Sequence, residues 1–185
     1  EVGILIDMSA SMMHEELIEI IKLKNAAPAK KQFAPKWQRT KRAAKWLLAR
    51  VPKTSRVSVM AFNDSAQVLG GRNIHNAKLA PSMEKLSKEI DTLVPNQGTN
   101  LHNALTEMRK TMPNMTNLYI VTDGLPTLAN PSRKLNQIRG CKGFKAKIIS
   151  GECRAKLFTH SISDAPLKRS TEVNVVLLPL EGDPQ

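Results

Sequence analysis

Asp7, Ser9 and Ser11 stand two residues apart, and Thr99 and Asp123 lie far downstream; all five carry hard oxygen donors. Carboxylate and hydroxyl oxygens together suit a divalent cation such as Mg²⁺, which takes near-octahedral oxygen coordination and commonly retains waters. Hydroxyl ligands add no charge, so a cation held largely by them keeps a positive character toward an incoming anion. The pentapeptide Asp7-Met8-Ser9-Ala10-Ser11 is ambiguous by itself. Turns are rich in Asp and Ser, and either serine could cap the helix that follows. The flanking residues shift the balance. Val2-Gly3-Ile4-Leu5-Ile6 has the length and β-branched content of a buried parallel strand, and it ends at Asp7. Leu118-Tyr119-Ile120-Val121 ends the same way, in Thr122-Asp123-Gly124, and Gly98-Thr99-Asn100 opens a helix-like segment.

Such a set needs a frame that brings two strand ends together. Strand-like and helix-like stretches alternate along the chain, which predicts an α/β fold. The expected architecture is a three-layer, Rossmann-like sandwich. Its central sheet is mostly parallel, with one short antiparallel edge strand and helices on both faces. In such sheets ligands bind beyond the carboxyl ends of the strands. If the strands ending at Asp7 and Asp123 are neighbours, roughly 5 Å apart, both carboxylates can face one cation. Apolar spacing predicts helices over 11–23, over 37–51 (Trp37, Ala44, Leu47, Leu48, Val51), over 81–93, from 99 or 100 to 112, and over 152–165 with Leu157, Phe158 and Ile162 apolar. Strands are expected at 56–62, at 67–69 and at 173–178. Residues 25–35 and 125–151 read as loops, the latter with a short helix near 133–138.

In this order and at these separations, the motifs resemble the von Willebrand factor type A family, along essentially the whole chain. The family carries a metal-ion-dependent adhesion site built from Asp-x-Ser-x-Ser, a distant Thr and a distant Asp. The resemblance places these on Asp7, Ser9, Ser11, Thr99 and Asp123. It implies Mg²⁺ (or Mn²⁺ or Ca²⁺) as cofactor and a protein partner whose Asp or Glu carboxylate completes the coordination shell. It further implies a non-enzymatic module, and Asp-Met-Ser-Ala-Ser-Met looks more like bacterial members than animal adhesion proteins. The family sheet normally has a final strand and helix after the position of Leu178. The chain therefore reads as a single domain over 1–185 cut from a longer protein, with an exposed sheet edge. Membrane anchoring, or a site outside the bacterial cytoplasm, would depend on segments beyond this fragment.

Other features suggest other classes. The net charge of +12 is concentrated between Lys22 and Arg56, a stretch without acids, and between Arg133 and Arg169. Such stretches attract nucleic acid or an anionic membrane, or they are simply solvated faces. Thin aromatic interleaving and the lack of any named nucleic-acid motif weaken the first reading. Apolar runs are too short for a membrane span, which needs roughly 18 residues. Cys141 and Cys153 could be a disulfide or two unrelated thiols. With His160 they could bind zinc, but they match no known spacing. His14, His75, His102 and His160 read as surface or capping residues. A Gly-x-Ser-x-Gly elbow and a Walker-type loop are absent, and metal-assisted phosphoester hydrolysis lacks an obvious general base.

Overall fold

The computed structural model describes residues 1–130, 150–165 and 167–179. Strand β1 (Val2–Asp7) is buried along its whole length and pairs in parallel with β2 (Arg56–Phe62) on one side and β5 (Asn117–Thr122) on the other. Beyond β5 lies β6 (Glu172–Leu177), also parallel. Two short antiparallel strands, β3 (Ala66–Val68) and β4 (His75–Asn76), pair with β2, so the sheet order is β3-β2-β1-β5-β6 with β4 off that path. The expected α/β sandwich with its mostly parallel sheet is the fold observed. β4 is an addition that a two-residue strand could not announce in the sequence.

Because side chains alternate across a strand, the central strands feed two cores. Ile4, Ile6, Val57, Val59 and Ala61 face a core shared with Trp37, Leu47, Leu48, Leu86 and Ile90. These come from α3 (Pro35–Arg50) and α4 (Ala80–Thr92). Leu5, Met60, Phe62, Leu118 and Ile120 face the opposite core, with Leu101, Ala104, Leu105 and Met108 of α5 (Leu101–Thr111). The last described helix, α6 (Gly151–Asp164), packs on α5.

Several boundaries differ from the sequence expectation. The helix expected over 11–23 is a 3₁₀ turn at Ala10–Met13 followed by α1 (Leu17–Lys24), with Leu17, Ile18 and Ile21 exposed and Ile20 alone of α1 buried. The loop expected at 25–35 contains α2 (Pro28–Gln32), and α3 begins at Pro35. Both prolines stand at a first helical position, where the missing N–H costs nothing and φ is already set. They start helices rather than stop them. In α6 the buried residues are Cys153, Leu157, His160 and Ser161, while Phe158 and Ile162 are exposed. Gly70 and Gly71 form a turn after β3, with φ of +83° and +68°. The short helix expected near 133–138 lies outside the described residues. No helix among the described residues is long and apolar enough to cross a membrane.

The basic stretch is less exposed than its composition suggests. Lys31, Lys36 and Lys41 are buried. Acids from elsewhere in the chain answer other cations: Lys22 pairs with Glu19, Arg39 with Glu15, Lys45 with Asp91 and Arg56 with Glu1.

Candidate metal centre

The register of β1 against β5 sets Ile6 level with Val121, so Asp7 and Asp123 emerge at the same end of adjacent parallel strands. Both are buried. The loop after β1 is pinned from two directions: Met8 N–H donates to the Phe62 carbonyl at 2.8 Å, and Ala10 N–H donates to the Gln97 carbonyl at 2.9 Å. Asn96 N–H returns a bond to the Met8 carbonyl at 2.8 Å. The pinned loop folds Ser9 and Ser11 back over the strand ends. Ser9 does not cap the 3₁₀ turn with its side chain; its Oγ lies 3.0 Å from Ser11 Oγ. Ser11 Oγ–H donates to Asp123 Oδ1 at 3.1 Å. Ser9 N–H donates to Asp7 Oδ1 at 2.9 Å.

Four of the five residues expected at the site are thus held in one cluster by named contacts. Thr99 is placed beside it rather than bonded into it. It is buried, two residues after Gln97, in a turn fixed by the 63–64 loop. Gly98 N–H donates to Asp64 Oδ1 at 2.7 Å, and Asn100 N–H donates to the Asn63 carbonyl at 2.7 Å. Thr99 N–H donates to Thr127 Oγ1 at 2.9 Å. Gly98 has a steric reason to be glycine. A Cβ there would lie 2.9 Å from both Leu128 Cδ1 and Thr127 Oγ1. Asn100 caps α5 by accepting from Asn103 N–H at 3.0 Å, so Thr99 itself is left out of the cap.

Two further residues belong to the cluster and were missed in the sequence. Thr122 Oγ1–H donates to Asp7 Oδ2 at 2.7 Å and orients that carboxylate. Lys36, 1% exposed, donates from Nζ to Asp123 Oδ2 at 2.6 Å. No sequence signal marks Lys36, which is one of many cations in its stretch. Its ammonium sits in the first turn of α3, the positive end of a helix dipole, so its placement depends on the Asp123 carboxylate. Burial, and then the nearby Asp123 charge, push the Asp7 carboxyl up to about 7; the bonds from Thr122 and Ser9 offset only part of that rise.

His102 and His160 correct the expectation of surface histidines, since both are buried, as is His75. His75 Nε2 lies 3.1 Å from the Arg72 carbonyl. Cys153 is buried and disulfide-bonded; Cys141 lies outside the described residues.

The fold and the loop cluster define a von Willebrand factor type A domain, and comparison with known proteins agrees. The model of the von Willebrand factor type A domain family matches residues 2–125, and the chain belongs to that family. Two solved structures align over nearly the whole chain at 12% identity and a TM-score of 0.50. One is an aerotolerance-related membrane protein from Bacteroides fragilis, covering 96% of this chain and 90% of that one. The other is the conserved hypothetical protein BatB from Bacteroides thetaiotaomicron, covering 95% and 89%. At that identity the likeness establishes the fold alone. A von Willebrand factor type A protein from Catenulispora acidiphila aligns at 19% identity and a TM-score of 0.49, over 66% of this chain but only 26% of its own length. No curated protein sequence matches the chain.

Proposed function

We propose that the chain is a non-enzymatic adhesion module in which Asp7, Ser9, Ser11, Thr99 and Asp123 hold a divalent cation of the Mg²⁺ class, which in turn binds an acidic side chain of a protein partner. Domains of this family generally mediate protein–protein interaction. The observation that carries the metal reading is the convergence of Asp7, Ser9, Ser11 and Asp123, oxygen donors throughout, at adjacent strand ends. That donor chemistry fits a hard cation. When bound, the cation would supply Lewis acidity toward a carboxylate oxygen of the partner. The protein's own residues do the rest. Thr122 aims Asp7, Ser11 aims Asp123, and the loops at 96–100 and 8–10 brace one another. Lys36 neutralises part of the carboxylate charge, which tunes how strongly the site draws a cation.

Calorimetric titration of Mg²⁺ and of Mn²⁺ into the chelator-treated chain tests the reading. Binding by the wild type, lost in Asp7→Ala, is expected. Absence of binding at millimolar metal, or unchanged binding in Asp7→Ala, overturns it. Capture of a protein partner should then disappear with chelator and depend only modestly on salt. Capture that ignores chelator and falls steeply with salt would instead point to the basic stretch.

A further inference from the structure

A second polar cluster lies between α5 and α6, built from residues that the hydroxyl-lined site does not use. His160 and Asp164 are four residues apart on α6, so they share one helix face, and His102 of α5 meets them from the facing helix. One ligand atom from each of the three falls within 4.8 Å of the others. His102 Nε2 lies 3.4 Å from Asp164 Oδ2, and the two imidazoles meet edge to face with centroids 4.9 Å apart. Both histidines are more than nine-tenths buried. His160 Nε2 is buried with no hydrogen-bond partner among the described residues. A buried, unpartnered ring nitrogen is costly and uncommon, and its cost disappears when the nitrogen has something to bind.

We propose that His102, His160 and Asp164 form a second cation site, specific for a zinc-class ion, between α5 and α6. The donor set differs in kind from the first site. Two imidazole nitrogens and one carboxylate oxygen are the ligands of a borderline metal in three-ligand zinc centres, with water in the fourth position. The spacing is compatible. Ligand atoms of a tetrahedral zinc stand roughly 3.3 Å apart, so the trio, whose ligand atoms lie within 4.8 Å of one another, would have to draw in by at most about 1.5 Å. Charge is compatible too, because burial and the neighbouring His160 hold the His102 imidazole below its ordinary pKa, which favours the neutral ring with one nitrogen lone pair open to a metal. Coordination has a local cost at His102. Asn130 N–H donates to His102 Nδ1 at 3.2 Å, so ligation through Nε2 moves the ring proton to Nδ1 and gives up that long hydrogen bond.

The test is titration of Zn²⁺, and separately Co²⁺, into the untagged full chain in the presence of millimolar Mg²⁺. The wild type should bind one zinc-class ion at this site, and Co²⁺ there should show the strong visible absorption of a four-coordinate centre. His160→Gln and Asp164→Asn should each weaken binding about 100-fold or more, while Ser11→Ala leaves it unchanged. Asp164 is partly exposed, so Asp164→Asn keeps the test decisive if His160→Gln fails to fold. Wild-type chain that binds no Zn²⁺ overturns the proposal. So does Zn²⁺ binding that survives Asp164→Asn and is lost in Ser11→Ala, which would place the ion on the oxygen donors of the first site.

Discussion

The cluster at the ends of β1 and β5 and the cluster between α5 and α6 lie close in sequence at one point, since only Leu101 and Asn100 separate Thr99 from His102. They are held by different means. The first is fixed by sheet register and by backbone bonds between loops, with buried Asp123 answered by Lys36. The second is fixed by the packing of two helices and rests on two buried imidazoles, of which burial holds the pKa of His102 below its ordinary value. Charge therefore dominates the energetics of the first cluster, and unmet hydrogen-bonding capacity dominates the second.

The strongest way to test that contrast is to remove one carboxylate from each cluster. Asp123→Ala leaves the Lys36 ammonium buried without its counter-ion and should cost about 3–5 kcal/mol of stability in chemical denaturation. Adding Lys36→Met to Asp123→Ala should recover most of the loss, because no unpaired charge then remains. Asp164→Asn touches a partly exposed carboxylate beside a neutral imidazole and should cost under about 1 kcal/mol. Equal losses for the two single variants would erase the distinction.

A pH series sharpens it further. Asp7 titrates at about 7 in the fold against an ordinary value of 3.8, so the native chain binds a proton that the unfolded chain has released across that interval. Stability in chelator should therefore fall as pH rises from about 4 to about 7, by at most about 4 kcal/mol, and level off above. Asp7→Asn should flatten the slope, and so should saturating Mg²⁺. His102 has the opposite sign. Its lowered pKa means that the unfolded chain takes up the proton first, so its contribution is lost as pH falls below about 6.5.

The two clusters also differ in how far the sequence disclosed them. Asp7, Ser9, Ser11 and Asp123 were readable because Asp7 and Asp123 stand at the ends of apolar strands, with Ser9 and Ser11 in the loop just beyond Asp7, and parallel pairing carries strand-end residues to one rim. Thr99 was readable as a turn residue before a helix. Lys36 was not, because burial of one lysine among many is decided by where α3 starts, and that start depends on Pro35 opening a helix instead of breaking one. His102, His160 and Asp164 were not readable as a group either. Their proximity depends on the α5–α6 contact, and the apolar pattern of α6 pointed to Phe158 and Ile162, which are exposed. The sheet itself was legible almost strand for strand, save for the two-residue β4, because alternation and length suffice for central strands.

Lys36 offers a subtler perturbation of the first cluster. Its ammonium, 2.6 Å from Asp123 Oδ2, competes by charge with any cation the carboxylates would hold. Lys36→Met should raise Mg²⁺ affinity about tenfold, a modest share of the interaction between two unit charges at that separation. In chelator the same variant should melt earlier than wild type, since Asp7 and Asp123 then repel without compensation. Calorimetry and thermal melts on one preparation read both effects. Unchanged affinity would show that Lys36 only fills space.

Thr122→Val is the smallest change and isolates orientation from charge. Valine keeps the branched shape that suits β5 and deletes only the hydroxyl that donates to Asp7 Oδ2 at 2.7 Å. The hydroxyl also accepts from Gly124 N–H at 3.3 Å, so the loss should be about 1–2 kcal/mol, as for one ordinary hydrogen bond and one long one. It should grow with pH, because the hydroxyl donates best to the ionised carboxylate and its removal pushes the Asp7 carboxyl higher still. The midpoint of the stability slope in chelator would then move above that of the wild type, while the zinc titration of the helix cluster stays where it was. A shift in the second measurement would mean that the two clusters communicate through α5, whose first turn lies between Thr99 and His102.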